Sequence, residues 1–537
     1  MAYDYIIIGA GSAGCVIANR LSEDPDASVL LLEAGDKDSN PWIHVPVGFT
    51  RTLNNPDVNW NFQTEPEDNV SGRRIPIPRG RVLGGSSSIN GMLYVRGQAF
   101  DYDVWAQLGN RGWSYSDVLP YFQKSENFER GGDDYRGSGG LLNVADMYER
   151  HEIIDAFIES GVALGYEHNP DYNGEKQDGF GYYQVTQRDG RRESTARAFL
   201  NSAKSRPNLR VTSRAHATRI LTEGKRAVGV SYEIDGLTYE ERVNLEVILC
   251  AGAVQSPQLL ELSGIGQPEL LRNHGIELVH ELPGVGENYR DHYAARANWR
   301  VNQPITLNEQ TRGLSMIKEA LKWAIFRRGI LTWTAGVGHG FMRTRQELET
   351  PDIQFFFVHG SFKSATDRKL DKEPGMTLAV YQCRPESQGT IHIGSGDPYG
   401  APKIRPNFLS NKLDQDTLVA GIHLCRKIGQ TKPLADYVAF EMNPGPDCTT
   451  DDDMLKFARD TGATTYHPMG TCKMGSDPMA VVNDRLCVHG VNGLRVVDAS
   501  IFPTMPSGNI NAPVIMTAEK GADMILEDAR ARVRAAA

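Results

Sequence analysis

The chain has 537 residues, 40% hydrophobic and 23% charged, with 57 Lys+Arg against 67 Asp+Glu for a net charge of −10. That balance excludes a disordered or fibrous chain and, with no basic cluster interleaved with aromatics, argues against a nucleic-acid partner. The length exceeds one simple core and sets the expectation at two domains.

The N-terminus enters "YDYIIIGAG" directly, with neither a charged leader nor a small-residue cleavage site, and no apolar run reaches the about 20 residues of a membrane span. Seven scattered cysteines, without a C-x-x-C pair or metal-ligand spacing, read as the reduced thiols of a cytoplasmic protein with no metal site. Residues 1–35 read as strand, tight turn, helix, strand. "YDYIII" is β-branched, Val16, Ile17 and Leu21 have helical spacing, and "ASVLLLEAG" is apolar enough for a buried parallel strand. The turn carries Gly9, Gly11 and Gly14 as G-x-G-x-x-G, with Ser12 and Ala13 inside it. Small residues let the backbone approach a pyrophosphate, and the helix N-terminus supplies amide donors and a partial positive charge. Glu33, followed by Ala34, ends the second strand 19 residues after Gly14. A carboxylate there accepts from ribose hydroxyls and disfavours a 2′-phosphate. A tight structural turn accounts for the glycines but not for Glu33. NAD and FAD both present a ribose at this point, so the motif admits either.

"GRVLGGSSSINGM" follows, with Arg81, Gly84, Gly85, Ser86, Asn90 and Gly91. Such a loop wraps a flat ring and offers small donors; by composition alone it is equally a flexible Gly/Ser loop. Residues 151–205 have helical pattern broken by polar loops, 209–236 read as a β-meander, and "EVILCAGAVQSPQLLELSGIG" reads as strand, turn, helix. Residues 295–465 change texture, with mixed strands such as "DIQFFFVHG". Within them "SMIKEALKWAIFRRGILTW" (315–333) sets Trp323, Ile325, Phe326, Leu331 and Trp333 among Lys318, Lys322, Arg327 and Arg328. It reads first as an amphipathic helix facing its own core, and second as a helix on the inner face of a membrane. From 466 onward the nucleotide-binding style resumes in "NGLRVVDASIFP".

Together "GAGSAG", "GRVLGGSSSINGMLYVRGQAFDYD", "GAVQSPQLLELSGIG", "YHPMGTCKMG" and "VVDASIFP…NINAP" resemble the glucose–methanol–choline (GMC) flavin oxidoreductases, most of all the choline-dehydrogenase-like alcohol dehydrogenases. The resemblance covers nearly the whole chain. It implies an α/β fold, α+β overall: a Rossmann-like FAD-binding domain from 1–150, 190–295 and 466–537, and a substrate-binding domain on a mixed or antiparallel sheet from 151–189 and 296–465. It also implies FAD and oxidation of an alcohol to a carbonyl compound by a histidine base with an Asn or His partner. Position by position, His467 matches the base and Asn511 its partner, which also lies along the cofactor. Gly9, Gly11, Gly14 and Glu33, with Ser12, Ala13, Ala34 and Arg81, fall in the ADP-binding part; Gly84, Gly85, Ser86, Asn90 and Gly91 lie along the flavin. Ala217 matches a strand position on the adenine side, and Asp498 and Ala499 the tail near pyrophosphate and ribityl. Family members with a histidyl-linked flavin carry that histidine just before the loop asparagine; here Ile89 stands there, so non-covalent FAD is expected.

The chemistry stands on its own terms. An alcohol proton does not leave unaided at neutral pH, whereas imidazole titrates near 6.5 and can take it in the transition state, and a flavin accepts the hydride. Against this, any one of 13 histidines is most often structural. Tyr466 and Trp333 are candidate pocket residues; choline would call for an aromatic cage, for which Trp60, Trp333, Phe355 to Phe357 and Tyr466 are available, and a carboxylate. Aliphatic, sugar and polyether alcohols stay equally open. So do a quinone or oxygen as electron acceptor, and a monomer or homodimer. The competing readings are a flavin-containing lyase using His467 for proton transfer only, an NAD-dependent oxidoreductase, and a non-enzymatic nucleotide binder.

Overall fold

The computed structural model describes residues 2–362 and 369–536. Its first sheet is built on Tyr3–Ile8, whose parallel neighbours are Val29–Leu32 (Ile6 opposite Leu30) and the end of Leu237–Leu249 (Ile8 opposite Leu249). Leu209–Thr212 extends it beyond Val29–Leu32, and Leu494–Val496 pairs with Leu237–Leu249 on the other side, both in parallel. All four residues of Val29–Leu32 are buried, with a parallel strand on each edge and helix Ser12–Leu21 packed against them; hence an unbroken apolar run. The antiparallel meander is His216–Glu223, Arg226–Ile234 and Leu237–Leu249. The expected meander over 209–236 is therefore shifted: 209–212 joins the parallel sheet, and the 13-residue strand 237–249 serves both arrangements in turn.

Helix Ser12–Leu21 follows the first strand through the glycine turn. A Cβ on Gly14 would lie 1.9 Å from the Gly9 carbonyl oxygen, so glycine is what lets the helix sit on the strand end. Gly9 itself has φ +97, the left-handed region that favours glycine. Gly11 differs: its added Cβ would meet nothing nearer than 4.0 Å, so its bare Cα opens outward. The helix packs against the C-terminal helix Asn511–Ala536, to which Arg20 is tied by two hydrogen bonds to the buried Glu519, of 2.8 and 2.7 Å.

The second sheet is antiparallel, in the order Val438–Asn443, Tyr293–Val301, Gly375–Gln382, Ile353–Val358, Gly338–Met342, Gly179–Tyr182, with Ala463–Thr464 also paired to Tyr293–Val301. Helix Lys412–Gly429, begun by Asn411, whose side chain accepts from Leu413 N, packs on its central strands and closes a second apolar core. Helix Gly313–Phe326 has no fully buried residue, but its Met316 and Trp323 pack against the second core, and Ile330, Leu331 and Trp333 just after it are buried there. The first expectation for 315–333 therefore fits one face of the helix. A second apolar face, which includes Ile325 and Phe326, turns outward. Among the described residues no helix is long and apolar enough to cross a membrane.

Candidate active site

A cavity of about 740 Å³ runs along the seam between the two sheets, in the upper part of the range for small-molecule and cofactor sites. Gly9, Gly11, Ser12, Ala13, Glu33, Ala34, Gly85, Ser86, Asn90, Gly91, Ala217, Asp498, Ala499, Asn511, Tyr466 and His467 line it. Gly14, Arg81, Gly84 and Trp333 stand behind the wall. Gly14 seats the helix, Arg81 lies over the Trp60 ring at 4.8 Å, and Gly84 N donates to Ala10 O at 2.8 Å. Trp333 is buried in the second core, its ring edge-on to His359 with centroids 3.7 Å apart, so it is not a pocket residue.

At one end, Ser12 and Ala13 sit in the first turn of their helix, where backbone amides lack intrahelical acceptors and attract a phosphate. Glu33 accepts from Ala10 N at 2.9 Å and Gly35 N at 2.8 Å, which aims the carboxylate and leaves lone pairs for ribose hydroxyls. Burial pushes its pKa up to about 7 against the pull of these amides. Gly85 packs on Gly11 so closely that a Cβ would lie 2.7 Å from the Gly11 Cα. Asn90 is held by Arg192, which donates to its Oδ1 and its carbonyl oxygen, each at 2.7 Å, and also to Ser87 O and Ile43 O. Arg192 has no carboxylate partner among these contacts, and burial lowers its pKa to about 9. Sequence reasoning missed it, because "RRES" carries no motif. Asp498 spends its oxygens on Gly252 N, Ser256 Oγ and Ser500 N, fastening the tail to the start of helix Gly252–Leu262. An open glycine Cα at a helix N-terminus, with the Glu33 carboxylate on the same cavity wall, fits the adenosine diphosphate half of FAD. At position 89 an aliphatic side chain faces the same cavity.

The other end is built around His467. Its backbone N donates to Asp291 Oδ1 at 2.8 Å, and Asp291 also accepts from Tyr289 Oη at 2.9 Å. Tyr466 before it has φ +70, a backbone outlier held by its N donating to Thr464 Oγ1 and by Arg79 donating to its carbonyl oxygen. The imidazole Nδ1 lies 2.9 Å from His292 Nδ1 and 2.9 Å from Thr465 Oγ1. His292 Nε2 lies 2.7 Å from Cys383 O, which can only accept. Burial drives the His292 pKa down to about 3, so its ring is neutral with the proton on Nε2 and a lone pair on Nδ1. His467 must then donate from Nδ1, which leaves the lone pair on Nε2. Burial, His292 and Arg79 together hold the His467 pKa well below its ordinary value, so the ring is a free base at neutral pH.

The residue beside that lone pair is Asn509, whose Nδ2 donates to His467 Nε2 at 3.0 Å. Its orientation follows from a second chain of bonds. Tyr381 Oη donates to Gln354 Oε1, so Gln354 Nε2 donates to Tyr183 Oη at 2.6 Å and reaches Asn509 Oδ1 at 3.4 Å. Asn511, expected to be the partner of His467, instead accepts from Ser12 Oγ at 2.7 Å. The correction is geometric: residue 511 opens the C-terminal helix and points at the glycine-turn helix, while 509 still lies in the loop before it. "NINAP" offers both asparagines, and sequence spacing cannot choose between them.

The family models that match are GMC oxidoreductase, N-terminal over residues 3–294 and C-terminal over 385–518. An alcohol dehydrogenase [acceptor] of Pseudomonas putida is 42% identical over 98% of this chain and 96% of its own. An oxygen-dependent choline dehydrogenase of Photobacterium profundum is 43% identical over 98% and 93%. Among solved structures, pyridoxine 4-oxidase from Mesorbium loti superposes with a TM-score of 0.88 at 29% identity, covering 97% of this chain and 98% of that one. A formate oxidase from Aspergillus oryzae RIB40 gives 0.90 at 26% identity, with 98% of each covered. The chain belongs to the GMC oxidoreductase family, FAD-dependent enzymes that act on CH–OH donors.

Proposed function

We propose that the protein oxidises a neutral primary or sugar alcohol to the aldehyde or ketone, with His467 as the base and Asn509, in place of Asn511, as its partner. The observation that carries the reading is the Nε2 lone pair of His467, fixed by the His292–Cys383 contacts and set beside Asn509 in the cavity wall. A substrate hydroxyl that displaces the Asn509–His467 bond donates to His467 Nε2 and accepts from the freed Asn509 Nδ2. His467 takes the proton as the carbon–hydrogen bond breaks, and Asn509 stabilises the alkoxide charge, a contact worth about 3 kcal/mol. FAD, held without a covalent bond, supplies the hydride acceptor at its flavin ring.

A quaternary ammonium substrate needs an unspent carboxylate. Among the described residues the carboxylates on the cavity wall are Glu33, Asp460 and Asp498. Asp460 is paired with Lys456 and Ser71, and the other two belong to the nucleotide end. This favours a neutral alcohol over choline. A quinone-type acceptor or dioxygen completes the turnover, separated by parallel assays with a quinone-like dye and with oxygen.

The test is anaerobic addition of an alcohol panel to the yellow holoenzyme. Bleaching by an alcohol, slowed at least ~1000-fold in His467→Ala with flavin still bound, is the expected result. Bleaching at wild-type rate in that variant removes His467 as the base, and a yellow protein that no alcohol bleaches returns the lyase reading.

A further inference from the structure

Helix Gly313–Phe326 stands on the surface without a buried residue. Its inner side is fixed by Trp323, whose Nε1 donates to Gly190 O at 2.8 Å under the Arg327 guanidinium, 4.3 Å above the ring. On the opposite side Leu314, Ile317, Leu321 and Ile325 recur at intervals of three and four and form one stripe. They are 84%, 58%, 57% and 67% exposed, and Phe326, 69% exposed, closes its end. The other exposed large hydrophobics lie singly or in pairs along the chain, which is ordinary; a stripe along one helix is not.

Along the helix itself cations predominate, although Lys322 faces Glu149 at 3.9 Å. Residues 312–328 hold Arg312, Lys318, Lys322, Arg327 and Arg328 against Glu319 alone, in a chain whose net charge is −10. Glu319 is turned inward, its Oε2 accepting from Ile330 N at 3.1 Å. Lys318 is exposed beside the stripe, and Arg328, just past the helix end, is exposed with its guanidinium 4.4 Å from the centre of the Tyr148 ring.

A second copy is a poor occupant. One helix face about 20 Å long offers far less than the roughly 800 Å² per partner of a stable interface. A two-fold contact would also set these cations against themselves. An apolar stripe flanked by cations suits a layer that is hydrocarbon below and phosphate above. We propose that helix Gly313–Phe326 docks the protein on an anionic lipid surface, with Leu314, Ile317, Leu321 and Ile325 at the acyl boundary and Lys318 and Arg328 at the phosphates. This inference does not depend on the roles of His467 or Asn509.

The experiment is co-sedimentation of the holoenzyme with vesicles of phosphatidylglycerol and phosphatidylcholine, or of phosphatidylcholine alone. Binding to the anionic vesicles is expected, at least tenfold weaker to the neutral ones and weakened by salt. L314S/I317S/L321S/I325S and, separately, K318E/R328E are expected to lose at least tenfold in partitioning while dye-linked alcohol oxidation in lipid-free buffer stays unchanged. No binding to anionic vesicles, or binding that both variants retain, overturns the proposal. So does a lipid-free dimer that the serine variant abolishes, which makes the stripe a subunit interface. Equal binding to soluble polyglutamate also overturns it, since the apolar stripe would then be idle.

Discussion

Asn509 meets His467 Nε2, whereas Asn511 meets Ser12 of the helix that faces the cofactor phosphates. On the proposed roles, removing the first takes a donor from the reacting oxygen, and removing the second loosens the cofactor wall. Asn509→Ala should therefore slow anaerobic flavin reduction about 100-fold with flavin content unchanged. Asn511→Ala should lower flavin content and leave the rate per bound flavin within a few-fold. The flavin-to-protein absorbance ratio and stopped-flow bleaching check both. On the same proposal His292, which meets His467 Nδ1, is a positioning residue. His292→Phe frees the other tautomer and should cost roughly 10–100-fold in reduction rate, while His292→Gln, whose Oε1 can accept from Nδ1–H, recovers most of it. Because protonation of Nε2 removes the base and the His467 pKa is held well below its ordinary value, the rate should hold through the ordinary imidazole range and fall only below it. A fall centred at the ordinary imidazole value would show that the site is more open than its burial implies. The place of His467 on the cavity wall was legible through "YHPMGTCKMG"; that of His292 behind it was not, since it lies 175 residues away and "DHY" has no spacing signature.

The glycine turn separates packing from binding within one element. Gly14→Ala puts a Cβ 1.9 Å from a carbonyl oxygen and should destabilise even cofactor-free protein by about 3 kcal/mol. Gly11→Ala meets nothing within the fold, so cofactor-free protein should melt within about 0.5 kcal/mol of wild type, yet bind FAD at least tenfold more weakly. Thermal melts of stripped protein and FAD titrations decide it; if both variants destabilise alike, the motif at Gly11 is structural. Reading the turn as structural thus suits Gly9 and Gly14, and reading it as binding fits Gly11. Elements were legible where periodicity and a turn motif agreed, as in Tyr3–Ile8, Ser12–Leu21 and Val29–Leu32. They were not where the sequence leaves a direction open. Period 3.6 gives helix Gly313–Phe326 a face but not which way it looks, and alternation cannot say that Leu209–Thr212 pairs with a strand about 180 residues earlier.

At the scale of the molecule, the cavity is walled by both sheets, and Glu33 lies at the end of it built by the first. A ligand lying along it is bound only by the folded chain, so FAD at ~100 times its Kd should add about 2.7 kcal/mol to stability. The pH dependence of that gain follows from Glu33. Its pKa is raised to about 7 in the cofactor-free fold against an ordinary 4.5, so the folded state holds the extra proton between these limits. The cofactor-free protein therefore loses about 3 kcal/mol from this group as pH rises from about 4.5 through 7. Ribose hydroxyls donating to the carboxylate favour its charged form, so FAD binding releases this proton. Affinity for FAD should then rise with pH up to about 7 and level off above it, and the melting gap between holo and stripped protein should widen over the same window. Fluorescence titrations of stripped protein with FAD from about pH 5.5 to 8 measure the first, and paired melts the second. Glu33→Gln, which carries no proton to release, should flatten both curves; a wild-type affinity that does not change across this window would mean that the carboxylate does not meet the ribose.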